Sequence, residues 1–170
     1  MQFSIGSSDL KNFMDKGTLT LEDMLSKEEA QLLTFDSPQR DPHRDNPLLS
    51  RLVLSRRFAL IAAHLANKAP LRLALTEWVE GTIEPLAEWA SVQPIAISLF
   101  LEANGSGTLI SPHTPVTVQK GLLIAYSPLI SLYTYNLLDP YVHELKKMGY
   151  GFGDHLGNHT HPIVCKDFFS

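Results

Sequence analysis

The sequence predicts an α+β fold whose core is an antiparallel β-sandwich or a small β-barrel. Helical spacing of apolar residues dominates the first part of the chain, and short strands separated by turn residues dominate the second part. Strands that follow one another through short turns are typical of antiparallel sheets. We therefore expect one domain over residues 1–170, with a helical part at about 1–70 and a strand core at about 71–170.

The helical part contains two clear helix signals. Ser26 and Glu29 have the spacing of a capping box, which predicts a short helix that ends near Phe35. Residues 52–67 carry apolar side chains at three- and four-residue intervals, and Pro70 prevents their helix from continuing. The intervening residues 36–47 are rich in Asp, Pro and Asn, and this composition predicts a loop.

The strand part begins after Pro70, where the apolar period changes from the helical value to two. Leucines alternate with other residues over 71–76, which predicts a half-buried strand that continues to about residue 79. Asp139 as N-cap, Pro140 at the first position and Gly149 after the last turn predict one later helix. The other predicted strands are residues 93–103, 108–110, 116–118, 121–126, 131–135 and 162–165.

The composition limits the classes of partner. Fourteen basic and 18 acidic residues give a formal net charge of −4, which argues against a nucleic-acid-binding protein. The single cysteine, Cys165, allows no intrachain disulfide and fits a reducing compartment. No signal peptide is evident, and the apolar runs are shorter than the roughly 20 residues of a membrane helix. We expect a cytoplasmic protein that binds a small molecule or another protein, without nucleic acid or membrane.

Several short motifs resemble the Fe(II)/2-oxoglutarate-dependent oxygenases of the phytanoyl-CoA-dioxygenase type. The opening resembles that family at residues 25–29, which read LSKEE, and a later loop resembles it at residues 107–113, GTLISPH. Residues 120–126, KGLLIAY, resemble the strand that precedes the family's distal histidine. The resemblance implies a double-stranded β-helix, or jelly roll, with flanking N-terminal helices and one helix near the C-terminus.

The resemblance also implies where catalytic ligands belong. The family binds iron through a His-x-Asp/Glu pair and a distal histidine, and a basic residue anchors 2-oxoglutarate. Residues 75–89 match the segment of the pair, and residues 127–133 match that of the distal histidine. Neither segment contains histidine, and no arginine follows Arg72. The first segment contains four glutamates: Glu77, Glu80, Glu84 and Glu88. The sequence thus predicts an oxygenase-like protein without these ligands or cofactors, non-catalytic, with a binding or regulatory role.

Five residues outside the matched segments are alternative metal ligands. His43 and Asp45 form an H-x-D triplet, while His155, His159 and His161 form an H-x₃-H-x-H cluster. We interpret the triplet as part of two proline turns with side chains in water, and the cluster as structural or exposed. Two alternatives remain open. One is an active oxygenase that binds Fe(II) and 2-oxoglutarate through displaced ligands, and the other is a metal-responsive regulator or interaction protein.

No other catalytic motif accounts for the chain. A G-x-S-x-G nucleophile motif and a phosphate-binding loop are both absent from the sequence. From strand positions alone, we expect a ligand pocket at the mouth of the roll, lined by Trp78, Phe100, Tyr126 and Tyr133.

Overall fold

Nine strands and five α-helices make up the structure, a computed structural model that describes residues 4–34 and 36–168. The helices are α1 (Ser7–Lys16), α2 (Lys27–Ala30), α3 (Pro47–Val53), α4 (Arg56–Ala66) and α5 (Leu86–Trp89), and 3-10 helices lie at Pro42–Asp45 and Glu144–Met148. The strands are β1 (Thr18–Leu21), β2 (Gln39–Arg40), β3 (Leu71–Ile83), β4 (Val92–Gln93), β5 (Ile97–Glu102), β6 (Gly107–Ile110), β7 (Val116–Pro128), β8 (Leu132–Tyr133) and β9 (Ile163–Cys165).

Seven of these strands form one antiparallel sheet. Its order is β1-β6-β5-β7-β3-β2, and β9 pairs with β3 beside β2, while β4 and β8 form a separate pair. The two long central strands β3 and β7 run alongside each other from Leu71 opposite Pro128 to Ile83 opposite Val116. Helices combined with an antiparallel sheet confirm the predicted α+β class.

The sheet separates two hydrophobic cores. Successive side chains of a strand point to opposite faces, so β3 and β7 each contribute to both cores. An irregularity of β3 between Leu73 and Leu75 places these two residues on opposite faces. On one face, Leu73 and Ile124 pack with apolar residues of α3 and α4. On the other face, Leu75 and Leu123 pack against the chain that follows β7. Four aromatic residues, Trp78, Phe100, Tyr126 and Tyr133, were predicted to share one pocket. That prediction is wrong, because Trp78 and Tyr126 lie in the first core and the other two in the second.

The predicted helix over residues 52–67 is two helices. The first begins early because Asn46 caps it, accepting hydrogen bonds from the backbone nitrogens of Leu48 and Leu49 at 3.1 Å each. A break at Leu54 and Ser55 separates α3 from α4. The predicted end is correct, since Asn67 takes the left-handed conformation after α4, with φ of 51°.

Several predicted strand boundaries were wrong. Residues 116–126 form one continuous strand, β7, which accommodates an irregularity opposite Val79 and Gly81 without ending. Conversely, the predicted strand over residues 93–103 divides into β4 and β5, which belong to different sheets. Pro94 lies between them and has no backbone N–H to donate to a sheet.

The α-helix predicted after Asp139 does not form. Residues 144–148 form only a 3-10 helix, although Gly149 follows it in the predicted left-handed conformation, with φ of 92°. Asp139 is instead buried and binds Arg40. Near the N-terminus, the capping box is confirmed by Ser26 and Glu29, but α2 ends at Ala30. Phe35, where the sequence predicted its end, lies outside the described residues.

Helix length bears on membrane association. Across residues 4–34 and 36–168, the longest helix is α4 with 11 residues. None in these ranges is long and apolar enough to cross a membrane.

Gly121 tests the packing of β7 against β5. An added Cβ there would lie 2.4 Å from the backbone oxygen of Leu101 and 2.4 Å from the Cζ atom of Phe100. We expect Gly121→Ala to lower the free energy of unfolding by about 1–3 kcal/mol, because a backbone atom cannot move aside without strain. Urea denaturation measures this change. Gly151→Ala is the control, since its Cβ would meet nothing closer than 3.6 Å, and equal stability of both variants would contradict the packing argument.

Candidate functional site

A buried ion pair joins β2 to the loop that follows β8. Arg40 lies at the end of β2 and is only 7% exposed, and Asp139 is only 1% exposed. The guanidinium donates two hydrogen bonds to the carboxylate, from Nη2 to Oδ1 at 2.8 Å and from Nη1 to Oδ2 at 3.2 Å. Such bidentate charge-assisted pairs have fixed geometry as well as strength. The pair therefore connects two segments that are 99 residues apart in sequence.

Asp139 also organises its surroundings. Its Oδ2 atom accepts hydrogen bonds from the backbone nitrogen of Ser91 at 3.1 Å and from the hydroxyl of Ser91 at 2.6 Å. Its Oδ1 atom accepts one from the backbone nitrogen of Tyr141 at 2.8 Å. Burial alone would raise the pKa of Asp139, but Arg40 and these hydrogen bonds outweigh it and lower the pKa. Asp139 is therefore ionised at neutral pH.

Two aromatic rings enclose the Arg40 guanidinium. Its Cζ atom lies 4.8 Å from the ring centre of Tyr141 and 5.7 Å from that of Trp89, distances typical of cation–π contact. Burial would lower the pKa of Arg40, but the carboxylates of Glu77 and Asp139 raise it. Arg40 is thus a permanent buried cation.

The negative charge of Glu77 is the one that this cluster compensates only weakly. It faces Arg40 across the β2–β3 pair, with 3.7 Å between Oε1 and Nη2. The residue is 9% exposed. Burial raises the pKa of Glu77 to about 7, because the lowering effect of Arg40 is smaller and Asp139 and Asp41 raise it further. Near neutral pH, Glu77 is therefore poised between its charged and neutral forms.

The H-x-D triplet continues along the edge of β3. Asp41 donates its backbone N–H to the Thr76 carbonyl at 2.8 Å, and its Oδ1 atom accepts from the Thr76 nitrogen at 3.0 Å. His43 is 5% exposed, and its Nδ1 atom lies 2.7 Å from the Thr76 hydroxyl. The prediction of water-exposed turns is therefore wrong for Asp41 and His43, which pack on a strand edge. Arg44 and Asp45 of the triplet are exposed.

The C-terminal histidines do not form a cluster. His155 and His159 lie at the surface, whereas His161 is fully buried. The Nδ1 atom of His161 lies 2.8 Å from the Thr160 hydroxyl, and its Nε2 atom has no hydrogen-bond partner among the described residues. Within the described part of the chain, no three His, Cys, Asp or Glu side chains are grouped so that they could hold a metal ion.

The two buried histidines are neutral. Burial lowers the pKa of His43 to about 4, and burial also lowers that of His161 to about 4. Arg44 acts in the same direction on both rings, and Asp41 opposes it. A proton on either ring would therefore be disfavoured in the folded protein at neutral pH.

Two cavities flank the Arg40 cluster. The first, which we call the carboxylate cavity, has a volume of about 390 Å³. It is lined by Glu77, Thr82, Glu84, Glu88, Trp89, Leu138 and Pro140. The second has a volume of about 400 Å³ and reaches Arg40, together with Asp41, Arg44, Glu144 and Lys147. The cations of this second cavity are already paired with its acids, since Arg44 binds Asp41 at 3.3 Å and Lys147 binds Glu144 at 3.1 Å.

The ion-pair cluster was not predicted from the sequence. Arg40 and Asp139 are too far apart in the chain for any local pattern to connect them. Glu77 did carry a signal, because the alternation of β3 places it on the same face as the buried Leu75. A carboxylate at an inward position of a strand indicates a buried partner or a site.

Comparisons with known proteins reveal the fold but no sequence relative. No family model matches the chain, and no curated protein matches it in sequence. The non-heme α-ketoglutarate-dependent carbocyclase SnoK from nogalamycin biosynthesis aligns with a TM-score of 0.75 at 10% identity, over 95% of this chain and 97% of that one. The related epimerase SnoN aligns with a TM-score of 0.66 at 12% identity, over 92% of this chain and 97% of that one.

A third neighbour is CT296 from Chlamydia trachomatis. It aligns with a TM-score of 0.55 at 18% identity, over 75% of this chain and 97% of that one. At these identities the comparisons establish the fold alone. The chain has an Fe/2-oxoglutarate-oxygenase-like fold, which the resemblance of its short motifs had implied.

The Arg40–Asp139 pair tests the energetics of the cluster. We expect Arg40→Met to lower the free energy of unfolding by about 3–5 kcal/mol, because it leaves the buried Asp139 charge without its partner. Chemical denaturation measures the loss, and adding Asp139→Asn to the variant should recover part of it. Lys147→Met is the control. Its ion pair with Glu144 is exposed, so the cost should stay below about 1 kcal/mol, and equal costs would contradict the assignment.

His43 should make stability depend on pH. Its pKa in the folded protein is about 4, below the ordinary 6.5, so the unfolded chain binds more protons between these values. Stability is therefore lost as the pH falls through this window. We expect the difference in unfolding free energy between the protein and its His43→Gln variant to grow by roughly 2–3 kcal/mol from pH 4 to 6.5. Comparison with the variant removes the opposite contribution of Glu77, and a pH-independent difference would refute a buried neutral His43.

Proposed function

We propose that this protein acts by binding a ligand and not by Fe(II)/2-oxoglutarate catalysis. Its core would follow the double-stranded β-helix of the phytanoyl-CoA-dioxygenase type, with the metal and 2-oxoglutarate ligands replaced. The observation that carries the proposal is the buried cluster of Arg40, Asp139 and Glu77. This cluster buries a side-chain cation beside β3 and leaves a cavity at Glu77.

The donor set near Glu77 does not fit iron. A facial iron site needs two histidines and one carboxylate with open positions beside them. Glu77 lies in the segment that matches the family's first ligand pair, but its nearest charged partner is Arg40 at 3.7 Å. In the segment that matches the distal histidine, the hydroxyls of Ser127 and Ser131 bond each other at 3.1 Å. In the two segments that match the family's histidine positions, this chain therefore has hydroxyl groups and an ion-paired carboxylate, and no imidazole.

Two further cations, Arg72 in β3 and Lys146 after the sheet, do not fit a 2-oxoglutarate anchor either. Arg72 donates to the backbone oxygens of Leu129 and His161, at 3.1 and 2.9 Å, and to Asn158. Lys146 lies over the ring of Phe152, with 4.6 Å between Nζ and the ring centre. A carboxylate anchor needs a cation whose donors face the ligand, and these donors already face protein groups.

An active oxygenase with displaced ligands is the second candidate. SnoK and SnoN, whose fold this chain resembles, are α-ketoglutarate-dependent enzymes by their descriptions. His43 is the residue that favours this candidate, since it is buried and close enough to His161 for a charge on its ring to lower the pKa of His161. Against it, Nδ1 of His43 is engaged by Thr76 and Asp45 is exposed. Iron binding at this edge would need the segment to rearrange.

Iron and succinate measurements test the proposal. We expect protein purified and loaded anaerobically with Fe(II) to retain far less than one iron per chain after desalting. We also expect no succinate from 2-oxoglutarate above the background of free iron. Stoichiometric iron, with succinate release abolished by His43→Ala, would establish the second candidate instead. His113→Ala, at an exposed position outside the alternative ligands, is the matched control for nonspecific loss of iron.

A further inference from the structure

The charges of the Arg40 cluster do not balance. Two guanidinium groups, the buried Arg40 and the exposed Arg44, stand against three buried carboxylates, Asp41, Asp139 and Glu77. Arg44 pairs with Asp41 at 3.3 Å and Arg40 with Asp139 at 2.8 Å. Glu77 is the remaining carboxylate. It is 3.7 Å from Arg40 and accepts no hydrogen bond from any residue that the structure describes.

Glu77 is also the carboxylate that lines the cavity from within. Its side chain is 12% exposed, and a carboxylate at this depth without protein donors is costly unless water or a ligand supplies them. The cavity walls beside it are apolar, and its outer part carries two exposed carboxylates. The walls are Trp89, Leu138 and Pro140, and the exposed carboxylates are Glu84 and Glu88.

The cavity is held open by hydrogen bonds of its own loop. The side-chain nitrogen of Asn136 donates to the backbone oxygen of Glu88 at 2.9 Å, and its side-chain oxygen accepts from the Leu138 nitrogen at 3.0 Å. Asp139, the next residue of the same loop, is fixed by its ion pair with Arg40. The apolar wall at Leu138 is therefore positioned independently of any ligand, although this side chain is 69% exposed.

We propose that the carboxylate cavity binds a small molecule with a primary ammonium group on a short apolar chain. The proposal deepens the binding role proposed above and rests on it. The ammonium donates the hydrogen bonds that Glu77 lacks and supplies the single positive charge that the cluster lacks. Its apolar chain contacts the walls at Trp89 and Leu138, while Glu84 and Glu88 attract the cation to the entrance.

Other ligand classes fit this cavity less well. An anion would meet three carboxylates, and a quaternary ammonium has no N–H to donate to Glu77. A divalent metal needs several ligands around one point, and no such group of His, Cys, Asp or Glu exists among the described residues.

The charge state of Glu77 adds a pH dependence. Its pKa is about 7, and an ammonium ion stabilises the ionised form, so affinity should rise between pH 6 and 8. The charged and titratable groups that face Glu77 are Arg40, Asp41, Asp139 and Tyr141. Asp139 is already ionised and Arg40 stays charged across this range, so Glu77 is the group that changes.

Calorimetric titration with n-hexylammonium chloride at pH 8 and low salt tests the proposal. We expect saturable binding of one molecule per chain. N,N,N-trimethylhexylammonium, which has the same charge but no N–H donor, should bind at least about tenfold more weakly. Hexanoate, with the same apolar chain and the opposite charge, should give no saturable binding.

Variants locate the binding in the cavity. Glu77→Gln should weaken n-hexylammonium binding about tenfold or more, because it removes the charged acceptor. Glu80→Gln is the matched control, since Glu80 is exposed on the same strand and lines a different cavity. Leu138→Ala changes an exposed side chain and leaves folding intact. It should weaken binding roughly threefold through lost apolar contact.

The outcomes separate this inference from the proposed function. Absence of saturable n-hexylammonium binding overturns the inference, and so do equal binding of hexanoate and equal effects of Glu77→Gln and Glu80→Gln. None of these results alters the iron and succinate measurements that test the non-catalytic role. Conversely, succinate release with bound n-hexylammonium would overturn the non-catalytic role while leaving the amine site in place.

Discussion

The ion pair between Arg40 and Asp139 is the interaction on which the arrangement of the site depends. It connects β2, which adds to the edge of β3, with the loop after β8, and Asp139 also holds Ser91 and Tyr141. Both charges are removed from water, a cost that only a close and fully hydrogen-bonded partner offsets. Because each buried charge has the other as its closest oppositely charged partner, the two segments meet in one geometry. That geometry sets the walls of both flanking cavities and leaves Glu77 at one of them.

The strand core followed from local patterns, whereas the site did not. Alternation over residues 71–76 predicted β3, although as a half-buried strand, whereas residues 71–78 are all buried. The cap signals at Ser26 and Asn67 matched the structure. Local signals also predicted a helix after Asp139. The Asp139 carboxylate does accept the Tyr141 backbone N–H as a cap would, but it also binds Arg40, and only a 3-10 helix follows. A contact between residues 99 positions apart leaves no trace in the spacing of either one. Glu77, at an inward position of β3, is the one residue of the site whose burial the pattern itself indicated.

The H-x-D triplet shows how tertiary context decides the role of a motif. Its spacing is suitable for two metal ligands, and its composition is suitable for an exposed turn. The structure gives neither outcome for His43, because the edge of β3 has unpaired groups at Thr76 that Asp41 and His43 satisfy. Polar groups at the buried edge of a strand need hydrogen-bond partners. The contact with Thr76 therefore keeps His43 in the interior, where its ring is neutral. Asp45, one turn further along the chain, has no such partner and lies in water.

A buried side-chain cation and a metal ion differ in whether a ligand can bind at the cation itself. A metal ion among carboxylates exchanges its ligands, so it can bind and release a substrate at the cation itself. The Arg40 guanidinium cannot exchange Asp139 without exposing two buried charges, so it serves as a fixed support and not as a reacting centre. The chemistry available to a ligand then moves to the group that the support leaves incompletely paired. In this protein that group is Glu77, whose pKa of about 7 reflects a carboxylate that burial has left short of partners. A ligand gains affinity there by supplying what the cluster lacks, which is one positive charge and the hydrogen bonds to carry it.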